Sequence, residues 1–135
     1  KNKSIILIDD SLVRGTTCHK IVKMLYESGA KEVHVRIACP EIRFPDFYGV
    51  DMPTKEELLA HEKNNKEMCD YIKAKSLRFL SLEGLYNALI REKRNLSYPQ
   101  FSDHYFTGDY PIKPQDNING IKVKQLSLLS GKSNS

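Results

Sequence analysis

Asp9 and Asp10 are the first residues of this sequence whose types and spacing can do chemistry together. The apolar residues Ile5-Ile6-Leu7-Ile8 precede them, and Ser11-Leu12-Val13-Arg14-Gly15-Thr16-Thr17 follow. Adjacent carboxylates repel, so a ligand must justify the pair. Vicinal hydroxyls do so, because each carboxylate accepts a strong charge-assisted hydrogen bond. A magnesium ion beside them would help keep both ionised. Gly15 permits a positive φ and close backbone approach. The unpaired N–H groups of the loop and of a following helix's first turn, with the helix dipole, make an anion site. Thr16 and Thr17 add hydroxyl donors at the same place. The whole stretch reads as a cradle for a phosphorylated sugar.

Other readings of the loop are weaker. It has no Gly-Lys-Thr or Gly-Lys-Ser, so it is not a nucleoside-triphosphate loop, and it lacks the spaced glycines of a dinucleotide site. An Asp pair after a strand also occurs in receiver-type signalling domains. Those do not need a Gly-Thr-Thr turn a few residues later. Thr16-Thr17 alone could be a plain helix cap, and Asp9-Asp10 alone a solvated turn.

The elements around the loop must position it. The run from Ser4 to Ile8 reads as a strand buried on both faces of a parallel sheet. Thr17 to Ser28 carries Ile21, Val22, Met24 and Leu25 at helical spacing and stops at Gly29. Glu32 to Ala38 alternates like a second strand, completing a βαβ unit. Asp9 and Asp10 then lie at the sheet edge where α/β proteins bind ligands. Cys39 to Pro53 holds three prolines and a glycine and reads as a long loop projecting from that edge. Thr54 with Glu57 forms a capping box opening a helix to about Glu62, and Asn64 with Glu67 opens another to about Lys73. Ser76 to Leu80 reads as a short strand, and Ser81 caps a helix to about Glu92. Asn95 to Pro114 is aromatic-rich and irregular. Beyond it the chain is polar and its end reads as frayed. The expected fold is α/β, Rossmann-like with a parallel sheet and a helical C-terminal region. Two strands beyond the first are too few for a doubly wound sheet. The core therefore reads as partial, completed by more chain or by another chain. The opening Lys1-Asn2-Lys3-Ser4, without an initiator Met, also reads as a fragment and carries no secretory signal.

Composition narrows the classes. The 135 residues are 40% hydrophobic and 28% charged, with a net charge of +4. These values fit one globular domain. No run approaches the roughly 20 apolar residues of a membrane helix. Basic stripes and aromatic platforms are lacking, so no nucleic-acid partner is expected. Cys18, Cys39 and Cys69 are odd in number and widely spaced, which suits free thiols in a reducing cytoplasm. His19, His34, His61 and His104 have no metal-ligand spacing and read as surface or structural.

Four apolar residues, two acids and a loop ending Gly-Thr-Thr resemble the phosphoribosylpyrophosphate (PRPP) motif of type I phosphoribosyltransferases. IDDSLVRGTT, SGAKEVHVRIACPEIRFPDFYGVDMPTKEELLAH, SLEGL and FTGDYP resemble, more narrowly, the amidophosphoribosyltransferase family. The likeness covers residues 1–112, the C-terminal portion of a phosphoribosyltransferase domain, and leaves 113–135 as a tail of no assigned role. It implies a glycosyltransferase acting in purine biosynthesis, making 5-phosphoribosylamine, glutamate and pyrophosphate from PRPP, glutamine and water. The glutaminase domain, pyrophosphate loop and flexible active-site loop would lie upstream, so this chain alone is expected to be inactive. Homo-oligomeric assembly of the complete protein is expected.

Carried over by residue, the resemblance places Asp9 and Asp10 on the ribose hydroxyls and Mg2+. Ser11, Val13, Arg14, Gly15, Thr16 and Thr17 fall on the ribose 5-phosphate. No obligatory nucleophile stands in the chain. Tyr48, Asp51 and Pro53 become candidates for contact with purine nucleotides acting as feedback inhibitors. Many members carry a [4Fe-4S] cluster on four cysteines. Three of those positions are here Asp46, Ser102 and Tyr105, so no cluster is expected. The alternative is a non-catalytic module of the same fold that senses PRPP or nucleotides.

Overall fold

The computed structural model describes residues 1–49 and 54–112. Asp51, Pro53 and the tail from 113 lie outside the described residues. Three parallel strands, β1 (Ser4–Asp9), β2 (Glu32–Ile37) and β3 (Ser76–Phe79), form a sheet in the order β1-β2-β3. Helix α1 (Thr16–Glu27) links β1 to β2. A 3-10 turn (Lys55–Glu57), α2 (Leu59–Glu62) and α3 (Asn65–Ile72) lead into β3, followed by α4 (Leu82–Ile90) and α5 (His104–Thr107). The mixed α/β fold with a parallel sheet is as expected.

One face of the sheet makes the core. Val33, Val35 and Ile37 of β2 and Leu77 of β3 alternate inward. They pack with Cys18 and Val22 of α1, Leu59 and Ala60 of α2, and Met68 and Ile72 of α3. The register sets Ile6 opposite His34 and Ile8 opposite Arg36, so the other face carries two isoleucines beside polar residues. This corrects the expectation that β1 is buried on both faces. Ile6 is 64% and Ile8 72% exposed, because among the described residues the core elements lie on the other face of the sheet.

Local rules explain the element ends. Asn64 accepts from the Glu67 backbone N–H at 3.0 Å and its own N–H donates to the Glu67 carboxylate at 2.8 Å, so the second capping box forms as the sequence implies. The stretch from Lys55 to Glu62 is not one helix. Leu58 is extended and buried. That break frees the Leu59 N–H to donate to the Val13 carbonyl at 2.9 Å. Lys73 and Arg91 take left-handed φ of 58° and end α3 and α4, the latter before the expected Glu92. Helix α1 starts at Thr16, one residue earlier than its apolar spacing implies.

The aromatic-rich stretch after α4 contains the unforeseen α5. Its anchor is Asp103, almost fully buried, which accepts from Tyr86 Oη at 2.8 Å and from Arg94 Nε at 2.5 Å. Arg94 also donates to Asp109 at 2.7 Å. Burial alone would raise the Asp103 pKa, but the hydrogen bonds from Arg94 and Tyr86 prevail and lower it. A carboxylate with a depressed folded pKa contributes stability above its unfolded pKa and loses it as pH falls through the folded one. Acid unfolding should therefore release α5 as pH drops below the usual carboxylate range. Asp103→Ala, which leaves Arg94 without its buried partner, should cost about 3 kcal/mol in denaturant unfolding. A loss under about 0.5 kcal/mol, the scale of an ordinary surface change, would contradict this anchor role.

Candidate functional site

The loop between β1 and α1 takes the shape its residue types dictate. Asp9 ends β1, and its carbonyl accepts from the Ala38 N–H at 2.9 Å. Asp9 Oδ1 accepts from the Asp10 N–H at 3.1 Å, and Asp10 Oδ1 from the Ser11 N–H at 2.7 Å. Buried Leu12 pins the loop from below. Gly15 sits in the left-handed region at φ 75° and caps α1. A Cβ there would lie 2.7 Å from Leu59 Cδ2 and 3.1 Å from Tyr71 Cε1. Glycine is thus required twice, by conformation and by space.

The result is an open cleft of about 340 Å³ lined by residues 9–18. Thr16 and Thr17 are exposed at the helix start, and no side chain caps it. Among the described residues, no group accepts from the backbone N–H of Arg14, Gly15, Thr16 or Thr17. The residues that carry these four donors, and the positive end of a 12-residue helix, line one cleft. The Oδ2 atoms of Asp9 and Asp10 stay outside the loop's own hydrogen bonds. All eight predicted ribose and phosphate residues therefore line one space.

The donor set fits magnesium. Two hard carboxylate oxygens, with substrate oxygens and water completing the shell, match how that ion is usually held. No group of three or more His, Cys, Asp or Glu side chains able to hold a metal occurs among the described residues.

Two cysteines flank the site and are quiet. Burial, then the nearby Asp9, raises the Cys18 thiol to about 11. Burial and Asp10 raise Cys39 to about 11, against a partial opposing bond from the Leu12 backbone. Neither is a thiolate at neutral pH, so neither is an activated nucleophile.

The remaining predicted residues lie elsewhere. Tyr48 is not part of the cleft wall. Its hydroxyl donates to the Ile112 carbonyl at 2.6 Å, and its ring meets His104 edge-on at 5.2 Å. Asp46 lies against His104 Nε2 at 2.8 Å, with both side chains almost fully buried, and Tyr105 hydrogen-bonds to Asp46. Ser102 is exposed. A carboxylate, a hydroxyl and a phenol do not fit the thiolate chemistry of an iron–sulfur cluster.

The sequence reading missed the residues that hold the loop from behind. Leu59 bonds to Val13, Tyr71 packs under Gly15 and bonds His19 through its carbonyl at 3.0 Å, and Glu57 pairs with Arg14 at 3.1 Å. The capping box signalled that Glu57 was ordered. Nothing in the spacing showed its second partner.

No protein-family model matches the chain. An amidophosphoribosyltransferase of Rhizobium etli is 52% identical over 131 residues, which is 96% of this chain and 26% of the relative. The Arabidopsis thaliana protein named amidophosphoribosyltransferase 2, chloroplastic, is 46% identical over 93% of this chain and 21% of its own length. The glutamine PRPP amidotransferase of B. subtilis, solved in complex with ADP and GMP, superposes with a TM-score of 0.76 at 44% identity. That alignment covers 86% of this chain and 26% of the B. subtilis chain. The chain belongs to the amidophosphoribosyltransferase family. A second solved structure, described as the allosteric regulatory enzyme of purine biosynthesis, superposes with a TM-score of 0.72 at 41% identity over 87% of this chain and 25% of its own. The chain thus spans about a quarter of the length of the amidophosphoribosyltransferases it matches.

Two predictions follow from this geometry. Gly15→Ala should destabilise the protein by about 1–3 kcal/mol through strain and displacement of Leu59, read as a lower unfolding midpoint. An unchanged midpoint would contradict the tight packing. The complete protein, purified without oxygen, should hold no stoichiometric iron and no brown colour. Both together would overturn the reading of Asp46, Ser102 and Tyr105.

Proposed function

We propose that this chain is the PRPP-binding portion of a longer amidophosphoribosyltransferase, a glycosyltransferase of de novo purine biosynthesis. The observation that carries the reading is the cleft itself, where two carboxylates at a strand end face a helix start with unpaired N–H groups. The carboxylates suit vicinal ribose hydroxyls, and the N–H cradle suits a dianionic 5-phosphate. The reaction would join PRPP and glutamine-derived ammonia into 5-phosphoribosylamine, releasing pyrophosphate, with glutamate from the glutaminase side.

Asp9 and Asp10 hold the ribose by its hydroxyls and orient C1. Their negative charge lies beside the ring where positive charge develops as the bond to pyrophosphate breaks. Residues 11–17 fix the far end of the sugar, so that C1 is placed relative to both leaving group and nucleophile. Bound Mg2+ would neutralise charge on the pyrophosphate, and Asp9 and Asp10 are the residues here that would hold it. No side chain of the cleft is required to attack the sugar.

The B. subtilis relative holds ADP and GMP, which supports purine nucleotides as feedback ligands here too, with Tyr48, Asp51 and Pro53 as candidate contacts. Glutaminase chemistry upstream and homo-oligomeric assembly complete the proposal. Cys18, Cys39 and Cys69 are free thiols, which supports a reducing, cytoplasmic setting. No helix among the described residues is long and apolar enough to cross a membrane.

In the complete enzyme, Asp9→Asn and Asp10→Asn should each lower kcat/KM for PRPP by about 1–3 kcal/mol, the scale of one lost charged hydrogen bond. Steady-state kinetics at saturating glutamine measure this. Wild-type kinetics in both variants would refute the assignment.

A further inference from the structure

We infer that Glu57 is a positioning residue for the phosphate site, aiming the Arg14 guanidinium by holding its Nε. The inference rests on the PRPP reading of the cleft. Glu57 Oε1 accepts from Arg14 Nε at 3.1 Å, across 43 residues of sequence. Its other oxygen, Oε2, accepts from the Thr54 N–H at 3.1 Å and lies 3.4 Å from Thr54 Oγ1. A capping-box carboxylate ordinarily serves only its own helix start. Here one carboxylate joins the turn at Thr54 to the loop of the cleft.

Arg14 has five N–H donors in a rigid fork. Only Nε is engaged among the described residues, which leaves Nη1 and Nη2 for an anion. Arg14 lines the cleft beside Gly15. A side chain this long carries large rotamer entropy, and fixing Nε removes much of it before the ligand arrives. The Arg14 bond, then the Thr54 backbone bond, hold the Glu57 carboxyl below the usual carboxylate range, so it stays charged at neutral pH. The neighbouring contacts keep the turn in place. Leu59 donates its N–H to the Val13 carbonyl at 2.9 Å, one residue from Arg14.

The side chains of Arg14 and Glu57 are 53% and 47% exposed. Exposed pairs contribute little to folding, so a purely structural role and a positioning role part ways in experiment. In the complete enzyme, Glu57→Ala should raise KM for PRPP about fivefold, with kcat within about twofold and the thermal midpoint unmoved. Glu57→Gln, which keeps an acceptor for Nε, should recover most of the loss. In an Arg14→Ala background, Glu57→Ala should add nothing further, because Glu57 acts through Arg14. An unchanged KM in Glu57→Ala would overturn the inference, as would the same rise in KM without Arg14. Should the Ala variant fail to fold, Glu57→Leu, which also removes the acceptor for Nε, measured with and without Arg14 decides by the same two criteria. A wild-type enzyme that does not saturate with PRPP would instead overturn the underlying reading of the cleft.

Discussion

The contact on which the site depends is the docking of residues 54–72 against the back of the 9–17 loop. The Leu59 N–H meets the Val13 carbonyl at 2.9 Å, and Leu59 and Tyr71 press on the bare Cα of Gly15. A loop with unpaired N–H groups facing solvent has no internal reason to keep one shape. Packing from behind supplies that reason and leaves those N–H groups unpaired. The left-handed Gly15 turns the chain into α1, and the first turn of α1 then presents its N–H groups to the same cleft as Asp9 and Asp10.

The sheet shows the same division of labour. Its inner face is buried around Val33, Val35, Ile37 and Leu77, and this layer carries β1, which ends at Asp9. The outer face is of another kind. Ile6 and Ile8 stand exposed beside His34 and Arg36. The chain spans about a quarter of the length of the amidophosphoribosyltransferases it matches, and the cleft of residues 9–18 sits against the part that packs. The C-terminal region adds a buried polar anchor to its aromatic packing. Asp103 gathers Tyr86 and Arg94, while His104 and Asp46 join α5 to the segment before residue 50.

Much of this was legible in the sequence because short-range rules govern it. The alternation of Glu32 to Ala38 reflects a one-sided strand. Both capping boxes have the spacing a helix start requires, and Asp-Asp followed by Gly-Thr-Thr leaves few alternatives for the loop. Three things were hidden, each for a reason. The exposure of Ile6 and Ile8 depends on which elements cover the sheet, and an apolar run carries no such information. The break at Leu58 arises because a buried leucine and the Val13 carbonyl outcompete continuation of the helix, a tertiary choice. The Arg14–Glu57 pair joins residues far apart in sequence, so no local pattern reveals it. Helix α5 escaped notice because its stability comes from buried Asp103 rather than from helical periodicity.

The most direct measurement is a structure of the complete enzyme with PRPP and Mg2+. The account predicts the 5-phosphate at the start of α1, within hydrogen-bond distance of the backbone N–H groups of residues 14–17, with the ribose hydroxyls on Asp9 and Asp10. A 5-phosphate bound elsewhere, with those N–H groups still facing water, would contradict it.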